Sequence, residues 1–479
     1  MKKGTAVAPP LAAVLAAILA SAFGALFAPS CRVVPAPVLL SLSPGREIST
    51  TTSFVLTVRG SNFQANSSVY FNDRAMATNF IGAGELNCRI AAADMAVTPG
   101  SAQTVSVPVR VGTPSAGLSN SLSFTVYLYP SFSAPRKIAD STGSYSDTIR
   151  PQIALDATGR LFVAWRDRER LYFSASGDSG ATWSAPPLVN QGAVFPYRFC
   201  LAVDGIAGSA CIAWEESSII YFVRSADGGR TWSARVALTD PAAVTAENPG
   251  LFIDPAGNVF LAYPGRAPAG VSPLYFVAVL KSTDGGRSFA ALGTVPWFTY
   301  FTGDNSPRLL QDKAGLLYLL FASDFGTRYS TNYLAFSTNS GVSWSVPVNI
   351  GLNVPSAALD DLNGLDLVGA NMYLPYTYKL TFKRSADRGA TWTSYDFADT
   401  GFAVPDIALN AFGSVDVVWR GRFVRSFDRG TTWNRVVSFT DDPAADRPSF
   451  IEDPSGAVHI VWWKTEGGIY YSSAKGAVP

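Results

Sequence analysis

Residues Ser225–Ser233 read SADGGRTWS: a serine, an aspartate two positions on, paired glycines, a hydroxyl residue and a tryptophan. In a hairpin loop the hydroxyl and carboxylate accept hydrogen bonds from exposed backbone N–H groups, glycine admits a positive φ, and the indole fills the seam beneath. The string returns five times with small changes: SGDSGATW from Ser176, STDGGRSF from Ser282, STNSGVSW from Ser337, SADRGATW from Ser385 and SFDRGTTW from Ser426. Equivalent turns lie 41 to 57 residues apart, a period that belongs to stacked supersecondary units. Each part of the motif serves the turn itself, so the six copies read as structural staples rather than as six acidic sites.

Around each turn the rest of a unit repeats. Six segments place a proline five residues before an Asp or Asn turn: RPQIALDATG, NPGLFIDPAG, SPRLLQDKAG, VPSAALDDLNG, VPDIALNAFG and RPSFIEDPSG. A seventh, RFCLAVDGIAG, has Phe199 at the proline position. Apolar second strands follow (LFVAW, CIAW, VFLAY, VDVVW, VHIVWW), then third strands, the serine–aspartate turn and a fourth strand. The last unit stops after its third strand, GIYYSSAKG, whereas FSAPRKIAD at Phe132–Asp140 reads as a fourth strand with no unit before it. The expected architecture is therefore all-β: a seven-bladed β-propeller over residues 131–479, closed by an N-terminal strand in the last blade, which leaves no open sheet edge. The turns resemble the Asp-box, or BNR, repeat of sialidase-type β-propellers, departing from it at Asn339 and Phe289. The sialidase enzymes of that resemblance have six blades, one fewer than the units read here.

Upstream, residues 36–128 alternate apolar and polar positions in short runs punctuated by turns, the pattern of an immunoglobulin-sized β-sandwich. LSLSPG, LTVRGSNF, SSVYFND and SNSLSFTV resemble the IPT/TIG immunoglobulin-like family, which implies a fold and a presenting role without catalytic residues. Residues 1–30 open with two lysines and continue as an alanine-rich apolar run, the layout of a bacterial export signal. A retained anchor helix is the alternative, against which Pro9 and Pro10 speak. Cys31 is a candidate lipid-anchor site, although Ala28-Pro29-Ser30 matches a lipobox poorly. The expected location is outside the cytoplasm, in the bacterial envelope or the medium.

Lys and Arg number 37 against 36 for Asp and Glu, so no global field recruits nucleic acid. Four cysteines without a CxxC pair and a single histidine, His459, within AVHIVWW argue against a metal site, and no cofactor is expected. Cys200 and Cys211 flank a turn, and strand register decides whether they face each other as a disulfide.

Loops should carry any function, and insertions cluster on one face: 264–273 and 322–331 after second strands, and 296–305 before a first strand. The residue before the leading proline, or its equivalent, is Arg150, Arg198, Asn248, Ser306, Val354, Val404 and Arg447 in units one to seven. Units seven, one and two are ring neighbours, so Arg150, Arg198 and Arg447 form a candidate site for a carboxylate, sulfate or phosphate. Pairing with Asp147, Glu247 and Asp446 is the structural alternative. Trp297 and Tyr300 are candidates for stacking on sugar rings. Asp167, Glu169, Glu215 and Glu216 are candidates for paired catalytic carboxyls. Sialidases join an arginine trio to an acid Asp and a Tyr/Glu pair after a FRIP-like string. Here TIRPQI is the nearest approach and no Tyr/Glu pair is matched. The primary expectation is a binder of glycans or a protein partner; the alternative is a sialidase-like glycoside hydrolase.

Overall fold

The computed structural model describes residues 34–48, 53–95, 104–127, 130–140, 150–190, 196–205, 208–272, 274–297, 306–324, 330–373, 377–400, 404–410, 413–442, 445–464 and 467–475. Two compact units emerge, one of Met1–Val97 with Ser106–Val126, the other of Thr98–Val105 with Tyr127–Pro479. The export signal and Cys31 lie outside the described residues.

The first unit is a sandwich of two antiparallel sheets. Val38–Ser43, Phe54–Ser61, Glu85–Ile90 and Thr78–Gly82 form one in that order; Arg46–Ile48, Leu122–Tyr127, Thr104–Thr113, Ser68–Phe71 and Arg74–Ala75 run across the other. Strand alternation puts Leu56, Val58, Leu86, Cys88 and Ile90 on one inner face and Val69, Phe71, Val109, Val111 and Phe124 on the opposing one. Phe124 stacks on Phe54 at 5.5 Å and meets Phe71 edge-on at 5.3 Å, a ring cluster of the kind that fixes how two sheets interdigitate.

In the second unit the described residues form seven sheets. Their first strands (Gln152–Leu155, Phe199–Val203, Gly250–Ile253, Arg308–Gln311, Asn353–Leu359, Asp406–Leu409 and Ala445–Glu452) touch in cyclic order, the last meeting the first. The fold is a β-propeller. The second strand of each sheet is covered on both faces, which is why Leu161–Trp165 and Val458–Trp463 are apolar or buried throughout instead of alternating. Closure follows the expected route: Arg136–Ala139 pairs with Gly468–Ala474 (Arg136 opposite Tyr471, Ala139 opposite Ile469), and Phe132 bridges Ala474. The N-terminal strand completes the sheet that the C-terminus leaves one strand short.

The six Asp-boxes staple the first six sheets, each to the sheet before it. In the second, Ser225 Oγ donates to Asp227 Oδ1 at 2.7 Å and accepts from Gly229 N at 2.7 Å; Asp227 accepts from Thr231 N at 2.9 Å and Thr231 Oγ1 at 2.6 Å. Asn339 keeps this geometry by reversing one bond. Its amide donates to Ser343 Oγ at 2.8 Å, where an aspartate accepts from the hydroxyl. Gly180, Gly229, Gly286 and Gly430 adopt φ between +81° and +86° and press against Tyr471, Phe173, Phe222 and Phe382, each on the third strand of the preceding sheet. The box aromatic closes on the same ring: Trp183 on Tyr471, Trp232 on Phe173, Phe289 on Phe222 and Trp433 on Phe382, all edge-on at 5.0–5.3 Å. Phe289 thus replaces tryptophan without loss of the contact.

Register answers the open cysteine question, and the readings of the insertions need correction. Cys200 pairs in register with Ala213, and Cys211 with Ala202, so the two cysteines are offset by two positions and both are free, buried thiols. The 264–273 and 322–331 insertions lengthen hairpins more than loops, because continued antiparallel pairing satisfies their backbone groups: Val259–Arg266 pairs with Tyr275–Ser282, and Leu317–Asp324 with Ser330–Ser337. Pro296 and Trp297 likewise end an outer strand, Ala290–Trp297, and do not begin a link.

Candidate functional site

Along an extended strand, positions i and i+2 share a side. The residue before each leading proline and the residue after it therefore form two tiers around the ring axis. The lower tier is Gln152, Cys200, Gly250, Arg308, Ser356, Asp406 and Ser449. Most of it zips the first strands together. Gln152 Nε2 donates to Phe199 O at 3.0 Å while its Oε1 accepts from Leu201 N at 2.8 Å. Asp406 accepts from Ser356 Oγ at 2.5 Å and from Phe450 N at 3.2 Å, and Ser449 Oγ accepts from Ile153 N at 3.5 Å. At Gly250 the backbones come so close that an added Cβ would lie 1.8 Å from Pro307 O.

Both tiers line a cavity of about 390 Å³, with Arg150, Arg198, Arg447, Arg308 and Asp406 among its walls. It falls within the size range of small-molecule pockets. Among the described residues, four arginines line it against one acidic residue, Asp406. Arg198 and Arg447 are only 8% and 9% exposed. Arg447 and Asn248, both immediately before a leading proline, adopt φ of +48° and +44°, a conformation uncommon for side-chain-bearing residues.

A residue that the sequence reading missed supports this corner. Arg166, 1% exposed on the second strand of the first sheet, donates to Pro196 O and, at 2.8 Å, to Tyr197 O, the link that carries Arg198. Burial, then the neighbouring Arg198 charge, lowers its pKa to about 10. Arg198 also lies over the Tyr197 ring at 5.1 Å. Nothing in LFVAWRD marks Arg166 as different from a solvated strand-end charge. Arg308, also missed, was legible in principle: it follows a leading proline, and alternation puts that position beside the arginine tier.

The BNR repeat-like domain pattern matches residues 206–460, more than half of the chain, and the IPT/TIG domain pattern matches residues 37–126. The chain belongs to the BNR repeat-like family. Among curated proteins none matches it in sequence. Solved structures similar to this BNR chain include the α-L-arabinofuranosidase of Fusarium graminearum in complex with arabinobiose (15% identity, 72% of this chain and 98% of that one, TM-score 0.46). A Hadza microbial sialidase (12%, 92% and 93%, 0.42) and an ulvan lyase of polysaccharide lyase family 25 (12%, 71% and 95%, 0.48) are also similar.

The carboxylate candidates of this BNR propeller are scattered. None of Asp167, Glu169, Glu215 and Glu216 lines the cavity. Asp167 lies opposite Arg170 beside a hairpin turn, and Glu169 is exposed in that turn. Glu216, buried, accepts from Trp214 Nε1 and from the more exposed Arg235 Nη1, both at 3.1 Å, a structural pairing. Glu215 is nearest to the arginines. Its N–H donates to Arg198 O at 2.9 Å, and its Oε2 accepts from Asn248 N at 3.1 Å. Burial pushes its pKa up to about 7, with Glu247 adding to the rise and Asn248 N–H and Arg198 opposing it. Trp297 lies opposite Tyr275 at the end of an outermost strand. Tyr300 and Asp147 fall outside the described residues.

His459 is a strand residue held between Tyr471 Oη, 2.7 Å from Nδ1, and Asp453 Oδ2, 3.4 Å from Nε2; burial lowers its pKa. Among the described residues no group of three or more His, Cys, Asp or Glu side chains is placed to hold a metal ion. No helix among them is long and apolar enough to cross a membrane.

Proposed function

We propose that this protein is an exported BNR propeller that binds an acidic glycan in the cavity at the ring axis, with Arg150, Arg198 and Arg447 receiving an anionic group. The observation that carries the reading is the lining: three guanidiniums from adjacent sheets, with a fourth from Arg308, around one small cavity. Guanidiniums offer forked donors that match carboxylate and sulfate oxygens, and low exposure strengthens such bonds. Arg166 supplies preorganisation by fixing the Tyr197–Arg198 link.

Binding is favoured over glycoside hydrolysis because, among the described residues, none of the four acidic candidates lines the cavity and its one carboxylate, Asp406, is engaged by Ser356 Oγ, Phe450 N and Ile407 N. The export reading rests on residues 1–30. The test is an array of neutral, uronic, sulfated and sialylated oligosaccharides probed with the wild-type protein and Arg447→Ala. Selective retention of acidic members, lost in the variant, supports the reading. Equal retention of neutral members, or no retention, overturns it, and turnover of a retained glycan would favour the hydrolase.

A further inference from the structure

The lower tier contains one side chain that closes no seam between neighbouring first strands. Arg308 projects from the fourth sheet, and its Nη2 lies 3.7 Å from Asp406 Oδ1 of the sixth sheet, spanning the fifth. That separation is long for a charge-assisted hydrogen bond. Asp406 is already engaged by Ser356 Oγ, Phe450 N and its own Ile407 N at 3.1 Å, so its charge is distributed over three donors. The Arg308 side chain is 46% exposed and borders the cavity. In a ring of seven, the fourth sheet stands three sectors from the first, across the axis from the Arg150, Arg198 and Arg447 sector.

We propose that the cavity selects a ligand with two acidic groups, one held by the arginines of sheets seven, one and two, the other by Arg308 on the opposite wall. This rests on the acidic-glycan reading and narrows it: the ligand is a di-acidic fragment short enough for a cavity of about 390 Å³, such as a disaccharide with uronate or sulfate on each ring. The geometry also states why a singly charged sugar is the poorer fit. Its neutral end would face a guanidinium that has only a shared carboxylate for company among the described residues. A second anion gives Arg308 a partner at direct hydrogen-bond distance.

The test uses the whole protein and pairs of uronate or sulfated disaccharides that differ by one acid group, one carboxyl being methyl-esterified or one sulfate removed. Wild-type protein should bind the di-acidic member about tenfold more tightly, the size of one charge-assisted hydrogen bond at a half-exposed site. Arg308→Gln should erase that preference by weakening the di-acidic member about tenfold more than the mono-acidic one, and Arg308→Lys should retain part of it. Equal wild-type affinity for both members, or a preference that survives Arg308→Gln, overturns the inference and leaves the acidic-glycan reading standing. Failure of the wild type to bind any acidic member overturns both.

Discussion

Replacing Gly229 by alanine tests whether the Asp-boxes hold the propeller together. Gly229 sits at φ +85°, and a Cβ built there would lie 1.9, 2.5 and 2.6 Å from Phe173 Cε1, Cδ1 and Cζ. Phe173 is buried and gripped edge-on by Trp232 at 5.1 Å, so the ring has no open space to enter. The left-handed backbone alone costs an alanine about 1–2 kcal/mol. Forcing a packed ring aside adds about 1–3 kcal/mol. Gly159→Ala separates the two contributions: φ is +83° there, but nothing lies within 4 Å of the added Cβ. Urea unfolding followed by tryptophan fluorescence should show Gly229→Ala less stable than Gly159→Ala by about 1–3 kcal/mol, the packing share. Equal losses would show that the box glycine is required only for its own turn, and the stapling argument would fall.

Two further predictions concern buried charge. Arg425 donates to Asp416 through Nε and Nη2, both at 2.6 Å, and to Glu452 at 3.1 Å, and burial raises the pKa of both acids, Glu452 to about 8. Arg425→Leu should cost about 3–5 kcal/mol at pH 8 and less at pH 5.5, where protonation relieves the stranded carboxyls; a loss that does not change with pH would contradict this. At Glu215 the folded-state pKa of about 7 stands above the ordinary 4.5, so the folded protein holds the proton more tightly. That stabilising contribution is complete below pH 4.5 and disappears as pH rises through 7. Glu215→Gln should therefore gain on the wild type between pH 5 and pH 8, by up to about 3 kcal/mol, in thermal midpoints taken at both; a constant difference would refute the assignment.

The propeller was legible because its signals are local. A serine and an aspartate two residues apart, a glycine two further on and an aromatic ring specify a turn whose hydrogen bonds stay within seven residues. Recurrence of that turn then reports stacking. The closing strand was readable for the same reason, since Phe132–Asp140 lacks a unit and the last unit lacks a strand. The arginine tier followed from aligning the prolines. Tertiary structure decided what depended on register and on neighbours far apart in sequence. A two-residue offset keeps Cys200 from Cys211. Antiparallel pairing drew Trp297 into an outer strand, and alternation turned Glu216 toward Arg235 and Glu215 toward Asn248. Arg166 and Arg308 matter through carbonyls and carboxylates contributed by other sheets, at Tyr197 and Asp406. Sequence periodicity determines where strands and turns fall, whereas the partners across a ring exist only once the ring has closed.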